Sequence, residues 1–327
     1  MIGRAARGAL ALLVLAGVAL WVFGPREAVP ARAAFDPARL GADLDAYFAA
    51  AEARVPGVTP GTEKRVIWAG DAGAVTPLAL LYVHGFSSTS EEIRPVPDRV
   101  AAALGANLVY TRLTGHGRDG AAMAEATAAD WMADVAEGLA AARAAGDRVA
   151  VIATSTGATL ATLALADPAM ARDVAAAVLV SPNYGVNDPR AALLTWPAAR
   201  LWLPWVAGAE RRFTPRNDRH ARYWTTRYPI EAVVPMAATV AAARALPPGA
   251  VEVPALFWFS DADRVVRADA IRSMAGGWGG PVRLRPVTPG PGDDPAAHVL
   301  AGDILSPGLT GPAVAEMTDW LRRHALR

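Results

Sequence analysis

Val149-Ala150-Val151-Ile152-Ala153-Thr154-Ser155-Thr156-Gly157-Ala158 is the stretch that decides the fold. A run rich in β-branched residues ends in a serine two residues before a glycine, and an alanine- and leucine-rich segment follows. That order predicts a strand, a sharp turn and a helix, with the Ser155 hydroxyl held out at the turn, as in the pattern G-x-S-x-G. Ala153 stands where the first glycine is usual, so the motif departs at one end by a single methyl group. A serine at the end of a strand can also serve merely as a helix cap. A base, an acid and backbone donors at suitable places elsewhere in the chain separate the two readings.

Around this turn the chain alternates. Candidate strands are Arg65 to Ala69, Leu78 to Val83, Asn107 to Thr111, Val149 to Thr154, Ala177 to Ser181, Ala255 to Ser260 and Val282 to Val287. Several are continuous apolar runs, which suits strands covered on both faces. Helix-period segments lie between them. In Thr127 to Ala142, Thr127 and Asp130 form a capping box, and Trp131, Val135 and Leu139 share a face. Alternation of this kind predicts an α/β fold with a mainly parallel sheet. It breaks between about residues 183 and 253, where Trp196, Trp202, Trp205, Phe213, Tyr223, Trp224 and Tyr228 are interleaved with prolines and arginines. This segment is expected to form a helical lid over the strand ends, where an apolar substrate would sit against Trp196, Trp202 and Trp224. A final helix from Pro312 to about Leu326 closes the domain.

The chain has 327 residues, no cysteine and a net charge of +1, and Lys64 is its one lysine among 32 basic residues. Disulfides, thiolate chemistry and cysteine-held metal are therefore excluded, and a nucleic-acid partner has no basic patch to meet. Near the N-terminus, Arg4 and Arg7 precede an uncharged apolar stretch from Gly8 to Gly24. As a helix it would be about 25 Å long, enough for a thin bilayer. Residues 1–35 are read as a signal anchor with a proline- and alanine-rich tether, and 36–327 as the catalytic domain, held outside the cytoplasm. The alternative is a signal peptide cleaved near Ala31-Arg32-Ala33, giving a secreted or periplasmic protein.

A serine nucleophile needs a base, and there are five histidines to choose from: His84, His116, His220, His298 and His324. His84 and His116 read as turn residues at strand ends, His220 lies within the lid, and His324 reads as solvated on the last helix. His298 follows the flexible-looking run Pro289-Gly290-Pro291-Gly292-Asp293-Asp294 after the last strand, the kind of loop on which a scaffold presents a base. The acid that orients it is expected to be Asp263, with Asp261 as competitor, since the residue immediately after a strand more often caps the turn. Backbone donors for an oxyanion are expected from Thr156, next to the serine, and Phe86, in the turn Val83-His84-Gly85-Phe86. Gly85 permits close approach there, and His84 and Gly85 are candidate substrate contacts.

With these blocks in hand, the chain resembles the α/β-hydrolase superfamily, in the branch of monoacylglycerol lipases, lysophospholipases and serine aminopeptidase-like proteins. Leu81-Tyr82-Val83-His84-Gly85-Phe86, Leu113-Thr114-Gly115-His116-Gly117, the Ser155 turn, and Asp263 with Ala296-Ala297-His298-Val299-Leu300 carry the likeness, over roughly residues 65 to 325. Ala153 for glycine and Ser260 in the acid loop are departures. The resemblance implies an esterase or lipase working through an acyl-enzyme, on a small-molecule or lipid ester. Gly115-His116-Gly117-Arg118-Asp119-Gly120 also fits G-x-G-x-x-G, but strands precede it and His116 sits where a pyrophosphate would approach, so no cofactor and no metal is expected. Two other functions stay open: a peptidase or amidase on the same residues, with Glu210 or Glu231 meeting a free amine, and a non-catalytic envelope binding protein of the same fold.

Overall fold

Two apolar layers, one on each face of a central sheet, organise the chain. The computed structural model describes residues 3–326, so the outermost residues of the two assigned segments, 1–2 and 327, lie outside the described residues. The strands are β1 (Arg65–Ile67), β2 (Thr76–Val83), β3 (Asn107–Tyr110), β4 (Gly146–Thr154), β5 (Val174–Val180), β6 (Glu210–Arg212), β7 (Arg227–Pro229), β8 (Ala255–Phe259) and β9 (Val282–Pro286). The main sheet runs β1-β3-β2-β4-β5-β8-β9, with β1 antiparallel to β3 and every other pair parallel. This is the α/β-hydrolase architecture, a largely parallel sheet flanked by helices and carrying helical insertions.

Residues that alternate along β2 explain the layers. Leu81 and Val83 point to the side of Trp131, Val135, Leu139 and Leu160, from helices Ala128–Ala145 and Thr156–Leu165. Leu80 and Tyr82 point to the side of Val96, Val100, Met317 and Trp320, from helices Val96–Leu104 and Pro307–Ala325. Burial on both faces is what the continuous apolar runs require. The long helix over the sheet begins as its sequence specifies. Thr127 accepts from the Asp130 N–H while the Asp130 carboxylate accepts from the Thr127 N–H, a reciprocal cap contributing about 1 kcal/mol.

Parallel strands bring their C-terminal ends to one edge, and that edge carries the candidate catalytic residues. The Gly85–Phe86 turn follows β2, Ser155 follows β4, Asp263 lies just beyond β8, and His298 is in the loop that follows β9. Val83 pairs with Ala153, and Thr154 with Val180, so the first two of these turns are neighbours.

Two expectations about the last helix need correction. The last helix starts at Pro307, not Pro312, because proline at a first helical turn is tolerated and Pro312 sits inside the helix it was thought to open. His324 on that helix is half-buried, its ring 4.0 Å from that of Trp320, and not solvated. The insertion is helical as expected and adds a short antiparallel hairpin of β6 and β7, in which arginine-rich sequence is drawn into strands with Tyr228 buried against the core. The stretch after the N-terminal helix is held against the rest of the protein. Pro25 accepts from the Ala198 N–H at 2.6 Å, and Glu27 pairs with Arg200 at 2.9 Å while accepting from the Ala128 N–H. The apolar helix itself, Arg4–Phe23, starts earlier than the uncharged stretch. Its segment Ala6–Phe23 is long and apolar enough to cross a membrane.

Candidate active site

Ser155 sits at φ 51°, ψ −117°, a backbone conformation rarely adopted by a side-chain-bearing residue. The turn is held by its neighbours. A Cβ on Gly157 would lie 2.4 Å from the carbonyl oxygens of both Val83 and His84, so the helix behind the serine closes on β2 only because Gly157 has none. At the other end, Ala153 is fully buried in the β2–β4 register, where its methyl group is accommodated.

The Ser155 Oγ is 3.0 Å from Nε2 of His298, and Nδ1 of His298 is 2.8 Å from Oδ2 of Asp263. The other carboxylate oxygen of Asp263 accepts from the N–H groups of Val265 and Val266 at 2.7 and 2.9 Å. Its side chain has no exposed surface, and Oδ2 is left for the imidazole. Asp261, the competitor, points outward and forms a two-pronged ion pair with Arg272. Burial alone would push the His298 imidazole down. The Asp263 carboxylate beside it, with Glu92 and Asp294 farther off, outweighs burial and carries it above the ordinary imidazole value.

The loop bearing His298 is pinned rather than flexible, contrary to its composition. Asp294 accepts from the N–H groups of His298 and Val299 at 3.1 and 3.0 Å, and Asp293 accepts from Gly290 and Gly308. Ser181, after β5, donates to the His298 carbonyl at 2.6 Å. Asn187 donates to the carbonyls of Asp263 and Val266, fixing the acid loop from the lid side.

The turn after β2 is equally tied. Gly85 donates its N–H to Glu92 Oε2 at 2.6 Å, and a Cβ on Gly85 would lie 3.1 Å from that of Ser155. Thr156 is the first residue of its helix, so its N–H has no intrahelical acceptor. Neither Glu92 nor Asp294 was singled out from sequence. Glu92 closes the polar run from Ser87, which reads as solvated loop, yet it is buried, and burial raises its carboxyl despite the bonds it accepts from Gly85 and Tyr82.

Other sequence candidates have different surroundings. His84 is buried with Nε2 accepting from the Leu113 N–H, so it presents no free ring nitrogen to a substrate. His116 lies 5.1 Å from it, and burial pushes its imidazole down to about 4. Trp196 meets both Trp202 and Trp21, whereas Trp224 packs on His220 at 4.7 Å. The glycines of the G-x-G-x-x-G run are filled by protein: Cβ atoms on Gly115, Gly117 and Gly120 would strike Ala122, Thr62 and Arg227. Cavities of about 360 and 590 Å³ lie elsewhere, beside Tyr184 and Trp278 and beside Phe48 and Lys64. Ser155 itself is only 6 % exposed. Among the described residues, no group of three or more His, Asp or Glu is placed to hold a metal ion.

Comparison with known proteins agrees with this architecture. The family described as serine aminopeptidase, S33, matches residues 77–283, more than half of the chain. No curated protein matches by sequence. Among solved structures, one reported for the metagenome-derived lipolytic enzymes LipS and LipT aligns with a TM-score of 0.66 at 22% identity, over 82% of this chain and 100% of that one. A soluble variant of monoglyceride lipase from Saccharomyces cerevisiae aligns at 0.59 and 10% identity, over 80% and 91%. The monoacylglycerol lipase of Paleococcus ferrophilus aligns at 0.58 and 13% identity, over 80% and 98%. At these identities the structures show a shared fold.

Proposed function

The chain belongs to the serine aminopeptidase S33 family of α/β-hydrolases, and from that premise we propose that it is a serine carboxylesterase with Ser155, His298 and Asp263 as its triad. The observation that carries the proposal is the continuous relay of hydrogen bonds, 3.0 Å from serine to imidazole and 2.8 Å from imidazole to carboxylate. A serine that merely capped its helix would need no such partner, and Ser155 makes no side-chain cap bond.

In this reading Ser155 Oγ attacks the ester carbonyl carbon and its proton passes to Nε2 of His298. The oxyanion of the tetrahedral intermediate is received by the N–H groups of Phe86 and Thr156. Collapse breaks the bond to the alcohol oxygen, which leaves with the proton from His298. Water then adds to the acyl-enzyme, giving its proton to His298, and a second collapse returns that proton to Ser155 and frees the acid. Asp263 holds the Nδ1–H tautomer and offsets the imidazolium charge.

Glu210, one of the two candidate partners for a free amine, is exposed and already paired with Arg227 at 2.7 Å, which counts for an ester over an aminoacyl amide. The apolar lid favours a lipid-like or bulky acyl group, and the Arg4–Phe23 helix is proposed to be retained as an anchor with the catalytic domain outside the cytoplasm. The domain division follows, 1–35 as anchor and connecting segment, and 36–327 as the hydrolase with its insertion at about 183–253. The test is to treat the detergent-solubilised full chain with a fluorophosphonate, map the labelled peptide and measure nitrophenyl esters of increasing chain length. Labelling at Ser155, abolished in Ser155→Ala together with turnover, is expected. Turnover surviving in Ser155→Ala would overturn the triad, and a folded protein that neither labels nor turns over ester would favour a binding role.

A further inference from the structure

The end of the apolar N-terminal helix does not hang free of the lid. The Trp21 ring meets Trp196 edge-on at 5.4 Å between centroids, and Trp196 meets Trp202 at 6.4 Å. A Cβ on Gly24 would lie 2.7 Å from that of Pro197, and the next residue, Pro25, accepts the Ala198 N–H. Arg200 then pairs with Glu27, whose side chain is 9 % exposed, and donates to the carbonyls of Ala124 and Ala126. Residues 21–27 are thereby fastened at successive points to lid residues 196–200, leaving no slack between helix and lid.

The lid helix that begins at this junction, Ala199–Ala207, is apolar on both sides. Ala199 and Leu203, four residues apart, are buried. On the other side Leu201 and Trp205, also four apart, are 70% and 90% exposed, and the adjoining Val206 is 71% exposed. A cluster of large apolar side chains left open in this way marks a surface that meets something apolar.

We propose that this face of the lid, Leu201, Trp205 and Val206, lies in the interfacial layer of the lipid bilayer that the N-terminal helix crosses. The proposal rests on the anchor reading given above and adds the depth of the lid. Trp21 is two residues from the end of its helix, about 3 Å along the axis, so its contact with Trp196 sets the lid at the level where a spanning helix leaves the hydrocarbon. Tryptophans gather at that level because the ring is apolar and its N–H polar. Arg211 and Arg212, exposed a few residues beyond Val206, suit the phosphates of the headgroups. A membrane-resident ester would then meet the lid without first dissolving in water.

The experiment places the full chain in phosphatidylcholine–phosphatidylglycerol vesicles with acyl chains brominated near the headgroup, and reads tryptophan fluorescence. Subtracting Trp205→Phe and Trp21→Phe from the unaltered protein isolates each ring. Quenching of both by bromine, with Trp205 shielded from aqueous iodide, is the expected result. Quenching of Trp21 with Trp205 open to iodide would overturn the docking and leave the anchor standing. If Trp205 were shielded from both quenchers while Trp21 was quenched by bromine, a second protein surface such as another copy of the chain would cover it, and the proposal would fail. Bromine reaching neither ring would remove the anchor and the docking together. In parallel, Leu201→Ser with Trp205→Ser is expected to leave nitrophenyl butyrate hydrolysis in solution within twofold and to slow turnover of a long-chain ester embedded in the vesicles at least tenfold. Equal effects on the two substrates would also overturn it.

Discussion

The Nδ1–H of His84 donates to the carbonyl of its own neighbour Gly85 at 2.8 Å, its tautomer fixed because Nε2 accepts from Leu113. Ser88 donates to the same carbonyl at 2.9 Å. A peptide unit is planar and trans, so two donors on the Gly85 C=O also fix the opposed N–H of Phe86. The proposed oxyanion donor is thus oriented from behind by a buried histidine that is itself locked to the loop after β3. His84 belongs with the backbone of the site, and its neutral ring is a requirement of that bond, consistent with burial pushing its imidazole well down.

Two aspartates two residues apart give the sharpest test of the triad. Asp263→Asn keeps the shape of the acid loop but can present an amide N–H where Nδ1 of His298 needs an acceptor. It is expected to lower kcat on a nitrophenyl ester by about 10⁴. Asp261→Asn removes only an exposed pair with Arg272 and is expected to stay within about twofold. Steady-state kinetics of the two variants, with circular dichroism to verify folding, decides between them, and equal losses would refute the assignment.

The pH dependence follows from His298. Its imidazole must be neutral to take the serine proton, so activity falls as pH drops through the value at which it protonates. Because that value is raised, the acid limb of kcat/KM is expected above the ordinary imidazole value of about 6.5. In Asp263→Asn burial persists while the main opposing charge is lost, so the limb of the residual activity moves to lower pH. A limb that stayed in place would show that the titrating group is not His298.

What was legible in the sequence was local. The β-branched runs and the Thr127–Asp130 capping box specify their elements through nearest neighbours, and the Ser155 turn is written in five residues. The order of the proposed serine, aspartate and histidine could be argued because each follows a strand. Features made by distant partners could not. Glu27 looks like part of a spacer until Arg200 and Ala128 meet it, and Glu92 looks solvated until Gly85 and Tyr82 do. The choice of Asp263 over Asp261 could be argued from turn chemistry, but the Arg272 that occupies Asp261 arrives from the following helix.

Glu92 is expected to act as a positioning residue. Glu92→Gln retains an oxygen for the Gly85 N–H but removes a charge that helps to raise the His298 imidazole. A modest fall in kcat with the acid limb shifted to lower pH is expected. Glu92→Leu leaves the Gly85 N–H buried without an acceptor and is expected to lower kcat by about 10²-fold, approaching the loss of a direct oxyanion donor. KM for a short ester should change little in either. A purely structural Glu92 would lower the unfolding temperature in both variants without moving the pH limb of Glu92→Gln.

The two small residues flanking the Ser155 turn should respond unequally to the gain or loss of a single methyl group. At Gly157 the added Cβ meets two backbone carbonyl oxygens at 2.4 Å, and neither can swing aside without breaking the β2 edge or the His84–Gly85 turn. Gly157→Ala is therefore expected to cost about 3 kcal/mol of stability, at the upper end for overpacking, and to displace Ser155 from His298 so that fluorophosphonate labelling slows. At Ala153 the methyl group is already buried in the apolar layer on one face of the sheet, and placing the usual glycine there creates only a small void and adds backbone freedom. Ala153→Gly is expected to cost about 1 kcal/mol and to leave labelling nearly unchanged. Thermal unfolding with labelling rates for both variants checks the asymmetry, and a Gly157→Ala protein as stable and as reactive as the original would show that the turn is looser than its contacts imply.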